Sequence, residues 1–300
     1  VKNDAWLRKF NAVRIAGKDT MIATNNYYLQ NPSGYNQMDI YGKVLINQSP
    51  SVNHTFNFQY SNTNDIPRYD RLNTINPNTG NFTTAQWYYG PETRILGSYK
   101  LGLQAKNSFY DNAKFLLAYQ FVEESRNSRN FQSNASSTNF NQLNLKSRTE
   151  KVNIYSVNAD FSKKVSTSNL SYGLEFLYNT LKSTAFARNV NTMVEQPTDT
   201  RYPGGDNYQL SFSAYLQDLI NLNKTIYMNA GLRYSYVGLS AEFNDTTFYQ
   251  FPFTNVEQNS SALSGNLGFT FLPQGDWRIY VNGTTVYRSP NIDDLAKVFE

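Results

Sequence analysis

Apolar and polar positions alternate with a period of two in stretch after stretch of this chain. In HTFNFQYS (54–61), Phe56, Phe58 and Tyr60 fall on one side, and Thr55, Asn57 and Gln59 on the other. KFLLAYQFV (114–122) groups Phe115, Leu117, Tyr119 and Phe121, and NLSYGLEFLY (169–178) groups Leu170, Tyr172, Leu174, Phe176 and Tyr178. YMNAGLRYSY (227–236) groups Met228, Ala230, Leu232, Tyr234 and Tyr236, and ALSGNLGFTF (262–271) groups Leu263, Leu267, Phe269 and Phe271. The intervening positions carry mainly Asn, Ser, Gln, Gly or a charge, as in a strand with one apolar and one wet face. The pattern predicts ten strands, at about 37–48, 53–62, 94–105, 113–123, 151–164, 169–182, 208–219, 225–238, 262–272 and 277–288, with a weaker one within 5–16.

The predicted connections alternate in length. Those near 48–51, 107–112, 165–168, 220–223 and 273–276 are short; those over 63–93, 124–150, 183–207 and 239–261 are long. Up-and-down pairing sends alternate connections to opposite ends of a sheet, so the tight turns gather at one end and the long loops at the other. Outer-membrane barrels are laid out this way, with short periplasmic turns and long extracellular loops. A soluble β-sandwich or propeller is the competing architecture, but it predicts no such alternation. No stretch reaches 18 apolar residues, so no transmembrane helix is expected, and VKNDAWLRKF has no apolar signal core. Barrel strands cross a bilayer in about 9–11 alternating residues without a hydropathy peak.

Composition agrees. Tyr (23) and Phe (20) are abundant although mean hydropathy is −0.57 and 17% of residues are charged. Rings of this kind gather at strand ends near a membrane surface, and Tyr60, Tyr99, Tyr178, Tyr234, Tyr236 and Tyr287 are the candidates. A net charge of +4 without a basic run gives no footprint for nucleic acid. The absence of Cys removes disulfides and thiolate chemistry.

Three stretches resemble TonB-dependent outer-membrane receptors of the Bacteroidetes group. They are DIPRYDRL (65–72) with TTAQWYYGPETRILGSYKL (83–101), AYLQDLINLNKTIYMNAGLRYSY (214–236), and YRSPNIDDLAKVF (287–299). Gln217 and Asp218, then Gly231, Arg233 and Tyr234, carry the second; Tyr287, Arg288, Pro290 and Asn291 carry the third, where Ser289 replaces the usual Ala. The resemblance implies an all-β, antiparallel up-and-down transmembrane barrel of 22 strands. This chain would supply about 10–11 of them over residues 1–300, without the plug domain, the TonB box and the last strands. It further implies a place in the outer membrane, lipid around the wall, and coupling to TonB–ExbB–ExbD through the plug. The implied function is active import of a scarce, bulky small molecule or metal chelate of the siderophore, haem or cobalamin type.

Enzyme chemistry finds little support. His54 is the only His, it heads a strand beside a short turn, and no G-x-S-x-G elbow is present. AGKDT (16–20) lacks the upstream Gly of a phosphate loop and has Asp19 at the hydroxyl position. Asp293-Asp294 reads as a helix start or loop carboxylate pair, without calcium-loop spacing. No metal site and no cofactor is expected, and Asn-x-Ser/Thr sites such as Asn81, Asn134 and Asn259 arise by chance in an Asn-rich chain.

Ligand contacts would fall to the long loops. Trp87, Tyr88 and Tyr89, with Arg68, Tyr69, Arg71 and Arg94 nearby, form the densest aromatic-basic cluster. Rings offer flat surface to a chelate, and guanidinium groups hold carboxylates bidentately; alternatively these rings anchor the loop or a membrane-surface girdle. Phe248, Tyr249, Phe251 and Phe253 form a second cluster, either a binding surface or a loop core. No long loop carries His, which weighs against haem, although Tyr ligates haem iron in some proteins. A passive porin-like channel, a surface adhesin, an outer-membrane enzyme and a soluble carbohydrate-binding β protein are the competing functions.

Overall fold

The computed structural model describes residues 7–244, 247–248, 250–273 and 276–296. Two short strands, β1 (Phe10–Ile15) and β2 (Lys18–Ala23), form a hairpin. The wall follows: β3 (Gln37–Ser49), β4 (Val52–Thr63), β5 (Ile66–Pro67), α1 (Tyr69–Leu72), β6 (Thr84–Tyr89), β7 (Thr93–Gln104), β8 (Asn112–Asn130), α2 (Phe140–Leu143), β9 (Asn144–Val165), β10 (Ser168–Asn189), β11 (Glu195–Pro197), β12 (Asn207–Asn221), β13 (Ile226–Glu242), β14 (Asn255–Phe271), β15 (Ile279–Thr284) and α3 (Ile292–Ala296). Ten strands pair antiparallel in the order β15-β14-β13-β12-β10-β9-β8-β7-β4-β3, with β5, β6 and β11 added at one end.

Every predicted wall strand is present. The weak strand within 5–16 is not part of the wall, because β1 pairs only with β2. Ala16 and Gly17 of AGKDT are that hairpin's turn, and both adopt the left-handed conformation (φ 49° and 75°) a two-residue turn needs.

Three long connections are shorter than expected, since the strands flanking them run on. β8 reaches Asn130, β9 begins at Asn144, β10 reaches Asn189, β13 reaches Glu242 and β14 begins at Asn255. EESRNSRN (123–130) and NLKSRTE (144–150) are polar on both faces, so they carry no period-two signal. The connection over 63–93 contains β5, α1 and β6, and β6 pairs with the upper part of β8. At the far end β15 stops at Thr284, short of the predicted end near 288.

Register places residues on faces. β8, β9, β10, β12, β13 and β14 pair over their lengths without a bulge. One row therefore reads Val44, Phe56, Tyr99, Leu117, Val157, Phe176, Phe212 and Tyr236 across eight strands. Most of these large side chains are exposed, as expected where lipid replaces a protein core. Tyr60, Tyr99, Tyr178, Tyr234 and Tyr236 lie on this apolar face. Tyr287 does not: its hydroxyl donates to Ser260 Oγ at 2.8 Å, on the opposite, polar face.

Ascending the apolar face, the chemistry changes in steps. Above Val157 and Phe176 comes a belt of tyrosines, with ring centroids 5.2 Å (Tyr119–Tyr155), 6.3 Å (Tyr155–Tyr178) and 6.0 Å (Tyr178–Tyr208) apart. The Tyr119 hydroxyl donates to Asn153 Oδ1 (2.8 Å), and Asn153 Nδ2 donates to Thr180 Oγ1 (3.2 Å). Near the tight turns Phe109, Phe115, Phe161 and Tyr172 make a second ring cluster, with centroids 5.1–5.7 Å apart. Two aromatic levels bracketing an apolar band are the marks of a membrane-spanning wall.

The polar face is built for close crossings. Gly173 stands between Asp160 and Tyr215 in one row, and a Cβ there would meet the Tyr215 ring at 2.8 Å. Its absence lets the Tyr215 hydroxyl reach over and donate to Asp160. Arg233 pairs with Glu175 on the same face.

Candidate functional site: the polar rim

Above the tyrosine belt the polar face continues into the strand extensions and the loops they carry. Register puts Tyr89 opposite Arg126 and Trp87 opposite Ser128, so both rings share the polar face, whereas Tyr88, opposite Asn127, faces the other way. The Trp87 and Tyr89 rings meet edge to face at 4.8 Å. Arg68 covers both, its guanidinium carbon 4.7 Å from the Trp87 ring centre and 5.2 Å from that of Tyr89. It also donates to the Tyr89 hydroxyl and, in a fork, to Asp70 Oδ1 (2.8 Å) and Oδ2 (2.6 Å). This fork holds the Asp70 carboxyl below its ordinary range and raises Arg68. The result is a cation–aromatic cluster in which Arg68 packs on two rings set edge to face.

Arg126 extends it. Its guanidinium lies 5.7 Å from the Tyr89 ring centre and donates to Glu124 (2.9 Å) and Glu150 (3.4 Å). Glu150 is buried, and burial pushes its carboxyl up to about 7; Glu124 adds to that, and Arg126 opposes it. Arg201 stands 3.9 Å from Glu124 and 3.7 Å from Asp293. The Tyr202 hydroxyl donates to Asp293, and burial followed by that carboxylate raises the phenol. Among these groups opens a cavity of about 360 Å³, with Val122, Val152, Ile154, Leu181 and Ile292 as apolar lining and Glu124, Glu150 and Tyr202 as polar lining.

The structure thus brings Arg68, Trp87 and Tyr89 together and separates the rest of the predicted cluster. Tyr88 is on the far face, where burial raises its phenol. Arg71 is exposed, 3.9 Å from Asp70, and Arg94 pairs with Glu92 at 3.8 Å. Tyr69, in α1, is half-buried, and burial raises its phenol too. In the second cluster Phe251 and Phe253 stack on each other at 5.3 Å, and both pack on Phe243 at 5.1 and 5.3 Å. Phe243 is buried while Phe251 and Phe253 stay exposed, as Phe248 does, so the cluster is a buried ring carrying an open apolar surface; Tyr249 lies outside the described residues. Glu124, Arg126, Glu150, Arg201 and Tyr202 sit in stretches without apolar alternation; register sets Glu124 opposite Glu150, and the connection ahead of β12 brings Arg201 and Tyr202 to them.

The remaining sequence motifs are structural. Gln217 donates to Asn229 at 3.0 Å, and Asp218 lies near the tight turns on the apolar face. A Cβ on Gly231 would meet Asn266 Oδ1 at 2.4 Å, so a larger residue there would displace the Asn266 side chain. Arg288 forks onto Asp294 at 3.0 and 2.9 Å. Asn291 and Asp294 cap α3 reciprocally: the Asp294 N–H donates to Asn291 Oδ1 (3.0 Å) and the Asn291 N–H to Asp294 Oδ2 (3.1 Å). His54 lies on the apolar face near a tight turn, 2.8 Å from both Tyr99 and Gln48. Among the described residues no group of three or more His, Asp or Glu is placed to hold a metal ion.

The sequence profile described as "TonB dependent receptor-like, beta-barrel" matches residues 10–299. No curated protein sequence matches the chain. Among solved structures, the copper transporter OprC superposes with a TM-score of 0.68 at 9% identity, covering 87% of this chain and 38% of OprC. The unliganded ferric citrate transporter FecA gives 0.56 at 15% identity, covering 84% and 36%. The ferric yersiniabactin uptake receptor FyuA of Yersinia pestis gives 0.54 at 16%, covering 82% and 37%. The chain therefore spans well under half the length of each, and at these identities the likeness is one of fold. A profile match over nearly the whole chain, on a wall with these two faces, shows that the chain belongs to the TonB-dependent receptor β-barrel family, whose members are outer-membrane transporters rather than enzymes.

Proposed function

We propose that this chain is part of the wall of an outer-membrane receptor that actively imports a scarce, bulky chelate of the siderophore, haem or cobalamin type. The wall would be completed by further strands and would enclose a plug through which TonB, ExbB and ExbD supply energy. The edge strands β3 and β15 support this, since lipid leaves no partner for an open ladder. The observation that carries the ligand reading is the Arg68–Trp87–Tyr89–Arg126 surface beside the rim cavity. Its rings and guanidinium groups suit a partly anionic chelate that carries aromatic or apolar surface.

Calorimetry on the full-length receptor carrying this segment tests it, with haem, cobalamin and ferric siderophores as titrants. Replacing Trp87 and Tyr89 together with Ala weakens the bound ligand by at least about tenfold. Tyr88→Ala, on the other face, leaves affinity within about twofold. Equal effects of both changes, or none, would overturn the assignment.

A further inference from the structure

Two lysines on the apolar face stand where a strand pair should avoid them. Lys151 of β9 and Lys182 of β10 are direct cross-strand partners, and both are exposed. Like charges placed directly opposite destabilise a ladder. Lys151 has a carboxylate on its other side, Glu123 at 3.3 Å. Among the described residues the Lys182 ammonium has no ion pair or hydrogen-bond partner within reach, although its backbone belongs to the ladder. The pair therefore keeps an uncompensated positive charge.

Their height is informative. The pairing runs without a bulge from Ser168–Val165 to Asn189–Asn144, so Lys151 and Lys182 share the face of Val157, Tyr155, Phe176 and Tyr178. Each lies four residues above a tyrosine of the belt, about 13 Å along the strand. Asn153 and Thr180 occupy the level between. The face thus passes from apolar side chains to phenols, to an amide and a hydroxyl, and then to two ammonium groups. A bilayer meets the same sequence from acyl chain through interface to charged headgroup, and lysine stems span such a distance readily.

We propose that Lys151 and Lys182 clamp a phosphate-bearing lipid headgroup of the outer leaflet. A phosphate between the two ammonium groups removes their repulsion and continues the lipid contact already made below. Glu123 competes for Lys151 and limits the affinity. The proposal rests on the apolar face meeting lipid and is independent of the cargo.

The test uses the full-length receptor folded into phosphatidylcholine vesicles with or without diphosphoryl lipid A. Co-purifying lipid A is counted by native mass spectrometry after detergent extraction, and folding is followed by heat-modifiable electrophoretic mobility. Lys151→Gln and Lys182→Gln each lower retention about fivefold, and the double change compounds the loss. Arg at both positions preserves retention, and Glu123→Gln raises it. Unchanged retention in the double Gln variant overturns the proposal, as does displacement of the lipid by inorganic phosphate at equal concentration. If the Gln variants do not fold, loss of retention in the Arg variant or no gain in Glu123→Gln overturns it. Failure to insert even into pure phosphatidylcholine contradicts the membrane reading instead.

Discussion

Strand β10 crosses two regions that obey different rules. From Leu170 to Tyr178 every position of the outer row is a large apolar or aromatic side chain, and on the other row Leu177 alone is large and apolar. From Ser183 to Asn189 the same unbroken strand is polar or small on both faces apart from Phe186, and it lies among paired charges. On the apolar side of this rim, Arg129 donates to both oxygens of Asp19 at 2.8 Å, and the Gln132 N–H donates to Oδ2 at 2.8 Å, tying the β1–β2 hairpin down. On the polar side, Arg148 and Lys146 converge on Asp199. The difference follows from the solvent. Lipid supplies no hydrogen bonds, so the wall needs a continuous ladder and an apolar outer row. Water relaxes both demands, and order above the belt comes from buried ion pairs instead.

Breaking the rim's pairs therefore has the largest local effect. Arg129→Met leaves Asp19 buried without its fork and costs about 3–5 kcal/mol locally. Hydrogen exchange accelerates in β1–β2 and stays unchanged in 170–178. Low pH does the same. Burial opposes ionisation of Asp19, but Arg129 and the Gln132 N–H outweigh it and lower its pKa. Its contribution is therefore present above the ordinary value of 3.8 and is lost as pH falls through the folded value.

Next comes a charge placed in each region of one strand and one face. Leu174→Arg, between the aromatic levels, costs about 2–4 kcal/mol in vesicle unfolding, whereas Thr184→Arg, above the belt, costs about 0–1 kcal/mol. Equal costs would erase the boundary drawn here.

Glu150 gives a smaller effect with the opposite pH sign to Asp19. Its folded pKa, about 7, lies above the ordinary 4.5, so ionisation penalises the folded rim as pH rises between those values. Glu150→Gln removes the penalty. It raises the melting temperature at pH 8, by about 1–3 kcal/mol in stability, and leaves it unchanged at pH 4. Smallest of all, Arg71→Ala changes stability by less than about 0.5 kcal/mol, since this guanidinium is exposed and 3.9 Å from its only carboxylate.

The same boundary explains what could be read from the sequence. HTFNFQYS and NLSYGLEFLY announce their strands because lipid demands the alternation. EESRNSRN and NLKSRTE are equally regular strands, yet nothing in their order distinguishes them from loop. The aromatic-basic cluster was legible as composition, but its division was not: Tyr88 separates from Trp87 and Tyr89 only through the pairing of β6 with β8. Glu150 and Arg126 are nonadjacent in sequence, and pairing of β8 with β9 brings them together. Tyr287 is the converse case: its sequence position suits the belt, yet it hydrogen-bonds on the polar face.

Site-directed nitroxide scanning along β10 is the most direct test. The segment contains no Cys, so single cysteines from 172 to 178 and from 183 to 189 report without a background from this chain. In the full-length receptor in vesicles, collision with oxygen and with a water-soluble nickel complex is measured at each position. Two faces in two solvents predict a period-two alternation over 172–178, oxygen favoured at 174 and 176 and nickel at 175 and 177, which disappears over 183–189. Uniform water exposure across 172–178, or an alternation that continues unchanged through 189, would contradict it.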